Sequence, residues 1–275
     1  MTAAHKEKPI GVFDSGIGGF TVVKHLSTVM PNEHIVYFGD TARVPYGSKS
    51  NSTVIEYSIQ DTNFLLHKNV KVVVVACNTA SSIAISELQK RFDIPVIGVI
   101  VPGAQAAVHQ TKNGKIGVIG TRATINNQAY SRTLKKINDK LEVFEKACPL
   151  FVPLAEEGWI HHKAAYEIAE EYLKELREKG IDTLVLGCTH YPILADVIQK
   201  VIGSNVKLID SGIATAEVVK NEIHNSGLNI ASTSHGSLDL FVSDIPTKFQ
   251  EVAELFLGRQ VKEAIKVDLE DLVHS

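Results

Sequence analysis

Residues 73–80 read VVVACNTA and residues 184–190 read LVLGCTH, and this pair of similar stretches decides the fold. Each stretch starts with aliphatic residues, becomes polar at a cysteine, Cys77 or Cys188, and leads into a helical pattern, at residues 80–92 and 193–202 respectively. A short apolar run that ends in polar residues and precedes a helix is typical of a parallel strand in an α/β protein. The chain therefore holds two versions of one unit built from a strand, a loop and a helix.

Two further stretches are repeated in the same order. IGVFDS at residues 10–15 is echoed by IGVIGT at 116–121, and PVIGV at 95–99 is echoed by VKLID at 206–210. The first pair is offset by 106 residues and the two cysteines by 111, so the offsets nearly agree. Such self-similarity indicates an internal duplication. We predict an α/β fold of two pseudo-symmetric lobes, each a mostly parallel sheet flanked by helices, with the active site in the cleft between them.

Seven strands are predicted: Ile10–Phe13, His34–Gly39, Val70–Ala76, Val96–Val99, Lys115–Gly120, Thr183–Gly187 and Lys207–Asp210. The C-terminal part shows helical periodicity at 214–223 and 249–257 but no third lobe, and residues 225–236, rich in Ser, Asn and Gly, predict a surface loop. We expect residues 1–99 and 212–275 to form the first lobe, with the C-terminal helices packed back on it. Residues 100–211 are expected to form the second.

Composition excludes several classes of function. The 275 residues carry a formal charge of -3, and Lys and Arg never cluster beyond two in a row, so we expect no nucleic-acid partner. The polar first nine residues do not form a secretory signal, and the apolar runs are far shorter than the ~20 residues of a membrane span. We expect a cytoplasmic protein without a membrane partner. Cys77, Cys148 and Cys188 have no CxxC spacing, so neither a disulfide framework nor a metal site is expected.

Polar residues at the ends of the predicted strands are the candidate ligand contacts, because ligands of open α/β sheets bind outside the carboxyl ends of the strands. These residues are Asp14, Ser15, Asp40, Thr41, Cys77, Asn78, Thr79, Thr121, Cys188, Thr189 and His190. If the two lobes face each other, both cysteine loops border one cleft. The glycine-rich residues 11–19 lack the spacings GxGxxG and GxxxxGK[ST], so they are a weak signal for a bound nucleotide.

Two equivalent cysteines around one ligand favour racemisation. Inverting a stereocentre requires a base on one face of the carbon and an acid on the other, with the roles exchanged in the reverse reaction. A thiolate and a thiol can serve as that base and acid, and a helix N-terminus after each cysteine would favour the thiolate. A single cysteine at a strand end is more often structural. Two at matching positions of a repeat are harder to explain in that way, whereas Cys148 has no counterpart and is expected to be structural.

The roles of two residues near the cysteines, His190 and Asp14, stay open. His190 either assists the thiol of Cys188 or is a hydrogen-bonded histidine of the cleft that moves no proton. Asp14 either holds the ammonium group of a substrate or tunes Cys77, or it caps the next helix.

Five motifs resemble those of the bacterial glutamate racemases: FDSGIGG at 13–19, GDTARVPYG at 39–47, ACNTA at 76–80, PLAEEG at 153–158 and LGCTHYP at 186–192. They occur in the family's order, up to about residue 213. The cysteine motifs alone resemble the wider aspartate/glutamate racemase superfamily, and the DTARVPYG segment indicates glutamate.

The resemblance implies an enzyme that interconverts L- and D-glutamate without a cofactor and supplies D-glutamate for peptidoglycan. It implies that Cys77 takes the proton from the D-isomer and Cys188 from the L-isomer, with Asp14, Glu156 and His190 assisting. The implied substrate contacts are Asp14, Ser15, Tyr46, Gly47, Asn78, Thr79, Thr189 and His190, and Thr121 is expected among them from its strand end. It further suggests a homodimer. Activation by a nucleotide-linked precursor is not expected, since only nine residues precede the first strand.

Two other functions stay open. A racemase of aspartate or of another 2-substituted acid would share both cysteines without needing residues 44–47. A non-catalytic binding protein could also close two α/β lobes around a small molecule, although the paired cysteines argue against it.

Overall fold

The computed structural model describes residues 6–231 and 234–268, and the strands in this part of the chain form two sheets in which every pairing is parallel. The strands are β1 (Ile10–Asp14), β2 (Ile35–Gly39), β3 (Val72–Val75), β4 (Val96–Gly98), β5 (Lys115–Gly120), β6 (Glu142–Ala147), β7 (Thr183–Gly187), β8 (Lys207–Asp210), β9 (Leu238–Val242) and β10 (Ile265–Lys266).

The two sheets share one topology. The first has the order β10-β9-β2-β1-β3-β4, and the second has the order β6-β5-β7-β8, which repeats the order β2-β1-β3-β4 of the first. The register repeats as well: Ile10 lies opposite Val72, and its counterpart Ile116 lies opposite Thr183. These pairs are separated by the same offsets as the sequence echoes. The two-lobe α/β fold is therefore confirmed.

Helices connect the strands and cover the sheets. They are α1 (Phe20–Val29), α2 (Asn51–His67), α3 (Asn78–Ile83), α4 (Ile85–Arg91), α5 (Ile100–Gln110), α6 (Arg122–Asn126), α7 (Ala129–Ile137), α8 (Phe151–Glu156), α9 (Lys163–Glu178), α10 (Ala195–Ile202), α11 (Ser211–Asn225) and α12 (Phe249–Leu257). Short 3₁₀ turns occupy Tyr46–Ser48 and Tyr191–Leu194. None of the helices in the described ranges is both long and apolar enough to cross a membrane.

The central strands are buried along their whole length, which is why they read as continuous apolar runs. Helix α11 packs against both α1 and α5, and α12 packs against α1, where Phe249 meets the ring of Phe20 edge-on. The helices predicted at 214–223 and 249–257 are thus present. Strands β9 and β10 join the first sheet, and β5 to β8 make up the second. The lobe boundaries themselves stay a prediction.

The sequence analysis omitted three strands. Strand β6 carries Glu142, Glu145 and Lys146 and lies at a sheet edge, so its side chains are only partly buried and its apolar signal is weak. Strands β9 and β10 extend the other sheet at its edge, and Asp239 interrupts the apolar run of β9. The helix expected from residue 80 to 92 is instead two helices, α3 and α4, that meet at Ala84. The surface loop expected at 225–236 has neither helix nor strand at residues 226–231 and 234–236. Residues 232–233 of this loop lie outside the described residues.

Candidate active site

A small, partly open cavity of about 30 Å³ lies where the carboxyl ends of the two sheets face each other. Ten of the predicted site residues line it: Ser15, Tyr46, Gly47, Cys77, Asn78, Thr79, Thr121, Cys188, Thr189 and His190. Val44, Pro45 and Val152 complete the lining, and the sequence analysis did not single them out as contacts. A volume of this size holds about two water molecules. Binding of a larger ligand therefore requires the side chains that line this cavity to make more room for it.

Cys77 ends the loop after β3 and forms the N-cap of α3. Its sulfur accepts a hydrogen bond from the backbone N–H of Ala80 at 3.5 Å, and its thiol donates to Ser15 Oγ at 3.5 Å. Burial, together with the charge of Asp14, raises the pKa of the Cys77 thiol to about 12. The N-terminus of α3 does act in the expected direction, since the N–H of Ala80 lowers this pKa, but desolvation outweighs that contribution in a six-residue helix. Cys77 is held as a thiol.

Cys188 has a different environment. Its Sγ lies 3.8 Å from Nδ1 of His190, and Nε2 of His190 lies 2.9 Å from Oε1 of Glu156. Burial alone would lower the pKa of His190, but its contacts with Cys188 and Glu156 outweigh burial and raise that pKa to about 10. The α-helix expected from Ile193 begins at Ala195, after a 3₁₀ turn, so Cys188 caps no α-helix. An imidazolium, rather than a helix dipole, is the positive charge beside this sulfur.

Asp14 lies behind the cavity wall, fully buried at the end of β1. Its Oδ2 accepts from the backbone N–H of Gly16 at 3.1 Å, and its Oδ1 accepts from Thr189 Oγ1 at 3.4 Å. Burial raises the pKa of Asp14, while the charge of His190 opposes that shift. The N-cap of helix α1 is Gly19, with no side-chain cap, so Asp14 does not serve as the helix cap that was the alternative. Asp14 instead connects the first lobe to the loop of Cys188.

Hydroxyl groups join the lobes around the cavity. Thr21 donates to the carbonyl oxygen of Thr189 at 3.0 Å, and the hydroxyls of Thr79 and Thr121 lie 2.9 Å apart. Thr21 was not predicted, because a threonine inside a helix carries no sequence signal that it reaches a residue 168 positions away. These contacts close the cleft from both sides.

Asn78 offers a donor to the cavity. The hydroxyl of Tyr130 donates to Asn78 Oδ1 at 2.7 Å and thereby directs the amide nitrogen, Nδ2, elsewhere. Within the described residues this buried Nδ2 has no hydrogen-bond partner. Because buried polar groups are nearly always satisfied, a ligand oxygen is a suitable acceptor for it. Tyr130 was also not predicted, since its role depends on the packing of α7 against the cysteine loop.

The remaining predicted residues are placed less directly. Tyr46 lines the cavity, while its hydroxyl is bound by Asp40 and Asp61, which do not line it. Asp14 and Glu156 do not line the cavity and reach it only through Thr189 and His190. No group of three or more His, Cys, Asp or Glu side chains in residues 6–231 and 234–268 could hold a metal ion. The absence of a cofactor or metal requirement stays a prediction.

Known proteins resemble the chain over nearly its whole length. The family model described as Asp/Glu/Hydantoin racemase matches residues 21–219. The glutamate racemase of Geobacter metallireducens is 50% identical over 263 residues, which cover 96% of this chain and 97% of that protein.

Solved structures of glutamate racemases also resemble the chain. The glutamate racemase of Francisella tularensis, crystallised with D-glutamate, superposes with a TM-score of 0.91 at 40% identity over 97% of this chain and 99% of that one. The glutamate racemase of Thermus thermophilus, in complex with β-chloro-D-alanine, gives a TM-score of 0.88 at 42% identity with the same coverage. With its duplicated sheets, its two cysteines at one cavity and these matches, the chain belongs to the glutamate racemase family.

Proposed function

We propose that this protein interconverts L- and D-glutamate without a cofactor and that Cys77 and Cys188 exchange the α-proton from opposite faces of the substrate. The observation that carries the proposal is the pair of free thiols at equivalent strand ends of two lobes, both lining one cavity. A lobe that carried its cysteine for packing alone would not need to present it to the same cavity as the other lobe does.

The unequal surroundings of the thiols suggest their roles with L-glutamate. The positive charge of His190, 3.8 Å from the Cys188 sulfur, suits Cys188 to act as the base that removes the α-proton, while the high pKa of Cys77 keeps its proton ready for delivery to the other face. The proton taken by Cys188 stays on that sulfur, and the carbanion takes the proton of Cys77. The product is D-glutamate, with Cys188 as a thiol and Cys77 as a thiolate. The reverse reaction restores the original protonation states of the two cysteines.

Substrate binding would use neutral donors rather than salt bridges. Among the side chains that line the cavity, His190 is the sole basic one. The carboxylates of glutamate would be held by the amide of Asn78, the hydroxyls of Ser15, Thr79, Thr121 and Thr189, and backbone N–H groups such as that of Gly47. Hydrogen bonds from several neutral donors can hold an anion where strand ends and turns converge.

Circular dichroism tests the activity. Purified protein is incubated with either enantiomer of glutamate or of aspartate, with a chelator and no added cofactor. We expect the signal of both glutamate enantiomers, but not of aspartate, to decay to zero. Activity with aspartate and not glutamate would indicate the related racemase, and binding of glutamate without decay would indicate a binding protein.

Variants in heavy water test the mechanism. Each of Cys77→Ala and Cys188→Ala should lose racemisation by on the order of 10²-fold or more, since one thiol cannot serve both faces. Cys148→Ala is the control, because this buried cysteine does not line the cavity and its thiol donates to the carbonyl oxygen of Lys146. In the wild type, D-glutamate formed from L-glutamate should carry deuterium at the α-carbon. Product that retains the original proton would contradict the two-thiol mechanism.

We further propose that the D-glutamate supplies peptidoglycan synthesis, that the enzyme works in the cytoplasm, and that it forms a homodimer. Analytical ultracentrifugation at several protein concentrations tests the dimer. A monomer that retains full activity would contradict it.

A further inference from the structure

Behind the cavity wall lies a buried polar cluster that the proposed mechanism does not use. It consists of Asp40, Arg43, Tyr46 and Asp61, here called the acid–tyrosine cluster. Both aspartates are fully buried, and the side chain of Arg43 is 11% exposed. Of the four residues only Tyr46 lines the cavity. Asp61 lies on helix α2, whereas Asp40 follows strand β2, so the cluster joins two separate elements of the fold.

Hydrogen bonds connect the four side chains closely. The hydroxyl oxygen of Tyr46 lies 2.5 Å from Asp40 Oδ2 and 2.9 Å from Asp61 Oδ2. Arg43 donates from Nε to Asp40 Oδ2 at 2.6 Å and from Nη2 to Asp61 Oδ1 at 3.2 Å. Ser243 donates to Asp40 Oδ1 at 2.8 Å. Asp40 therefore has three donors, and its contact with Tyr46 is the shorter of the two that the phenol makes.

The protons of this cluster can be counted. A phenol has one proton, and the shorter contact assigns it to Asp40, so the contact between Tyr46 and Asp61 Oδ2 needs a proton from elsewhere. The charges also require an additional proton, because the single guanidinium of Arg43 can neutralise only one of the two buried carboxylates, Asp40 and Asp61. The ring of Tyr57 stacks against Arg43 and the side-chain oxygen of Gln60 accepts from it, and neither can neutralise the second carboxylate.

We propose that Asp61 is a neutral, protonated acid that donates to the Tyr46 hydroxyl, and that this bond positions residues 44–47 as the wall of the glutamate cavity. The second part rests on the proposed function for its substrate. Burial raises the pKa of Asp61, and the charges of Asp40 and of the more distant Asp14 raise it further, while Arg43 opposes them. The hydrogen bonds then run from Asp61 to Tyr46 and from Tyr46 to Asp40, and Arg43 pairs with Asp40 at 2.6 Å.

The position of residues 44–47, which form one wall of the cavity, depends on the hydrogen bonds of the Tyr46 hydroxyl. With its hydroxyl held on the far side, Tyr46 cannot rotate into the cavity, and Gly47 next to it approaches Thr121 so closely that an added Cβ would lie 2.9 Å from the Thr121 Cβ. The distance between this wall and the second lobe sets the room available to the substrate. Asp61 thus acts through Tyr46, as a positioning residue.

Infrared spectroscopy tests the protonation without any need for activity. At pH 8 the wild type should show the C=O stretch of a protonated carboxylic acid, and the difference spectrum against Asp61→Asn should assign it to Asp61. A spectrum in which that band is absent, or in which Asp61→Asn retains it, would overturn the neutral acid.

Kinetics test the positioning. Asp61→Ala should raise KM for glutamate far more than it lowers kcat, with kcat/KM falling by about 10- to 100-fold as expected for a displaced binding wall. Asp61→Asn should recover most of that loss, because its amide can donate to the same phenol oxygen. The control is Glu33→Ala, which removes another buried carboxylate of the first lobe, the partner of Lys71 at 2.5 Å, outside the cavity lining.

Three outcomes would overturn the positioning role: an unchanged KM in Asp61→Ala, an Asp61→Asn variant as impaired as Asp61→Ala, or an equal rise of KM in Glu33→Ala. If Asp61→Ala does not fold, the KM of Asp61→Asn is compared with the KM of the wild type and of Glu33→Ala, and this comparison tests the positioning role. A wild type without any racemase activity would refute the proposed function instead, while the infrared result would still stand.

Discussion

The charge of His190 is the feature of the site whose removal has the most definite consequence. His190 is 4% exposed, and its Nδ1 lies 3.8 Å from the sulfur of Cys188. Two unit charges about 4 Å apart interact with ~4 kcal/mol at the effective dielectric constant of ~20 that suits protein sites. Since ~1.4 kcal/mol corresponds to a factor of ten, losing this charge should slow a step that depends on negative charge at the Cys188 sulfur by up to roughly 10³-fold.

We therefore expect His190→Asn to lower kcat/KM by about 10²- to 10³-fold, as an asparagine dipole replaces only part of the interaction. The loss should be equal for both enantiomers. L- and D-glutamate have the same free energy, so kcat/KM must be the same in both directions for any variant. Circular dichroism from each enantiomer measures both values, and a loss smaller than about fivefold would refute the role of the imidazolium.

The pH dependence gives an independent check. His190 has a folded-state pKa of about 10, above the ~6.5 of an unfolded histidine. Its contribution to stability is therefore fully present below pH ~6.5 and is lost as the pH rises through about 10. The free energy of unfolding of the wild type should decline relative to His190→Asn across that window. Parallel stability curves for the two proteins would show that His190 is not charged in the folded state.

Two further predictions concern neighbours of His190. Glu156→Gln should cost less than about tenfold in kcat/KM, because the Glu156 side chain is 37% exposed and solvent screens its charge; a loss equal to that of His190→Asn would contradict this. Gly18→Ala should lower stability by about 1–3 kcal/mol and reduce activity, since its Cβ would overlap Thr189 Oγ1 and lie 2.5 Å from His190 Nδ1. Thermal melts against Gly16→Ala, whose Cβ would meet only the Val44 side chain, at 3.2 Å, provide the control.

The sequence indicated much of the fold because strands and their ends are encoded locally. Apolar runs that end in a polar residue revealed the buried strands, and the echo of β1 and β3 in β5 and β7 revealed the duplication. The edge strand β6 escaped because its charged residues give no such run, although it occupies the position that β2 holds in the other sheet. Where burial is partial, the pattern that predicts a strand disappears.

The sequence alone predicted most of the residues that line the cavity, because parallel strands bring their carboxyl ends to one edge and the two cysteine motifs sit at those ends. The difference between the two cysteines depends on tertiary contacts. Cys77 is buried beside Asp14, and Cys188 lies beside an imidazolium that Glu156 supports. The bond between Thr189 and Asp14 spans 175 residues, and the one between His190 and Glu156 spans 34. A thiol's pKa depends on burial and on charges within a few ångströms, and in this chain those charges come from residues that folding alone brings together.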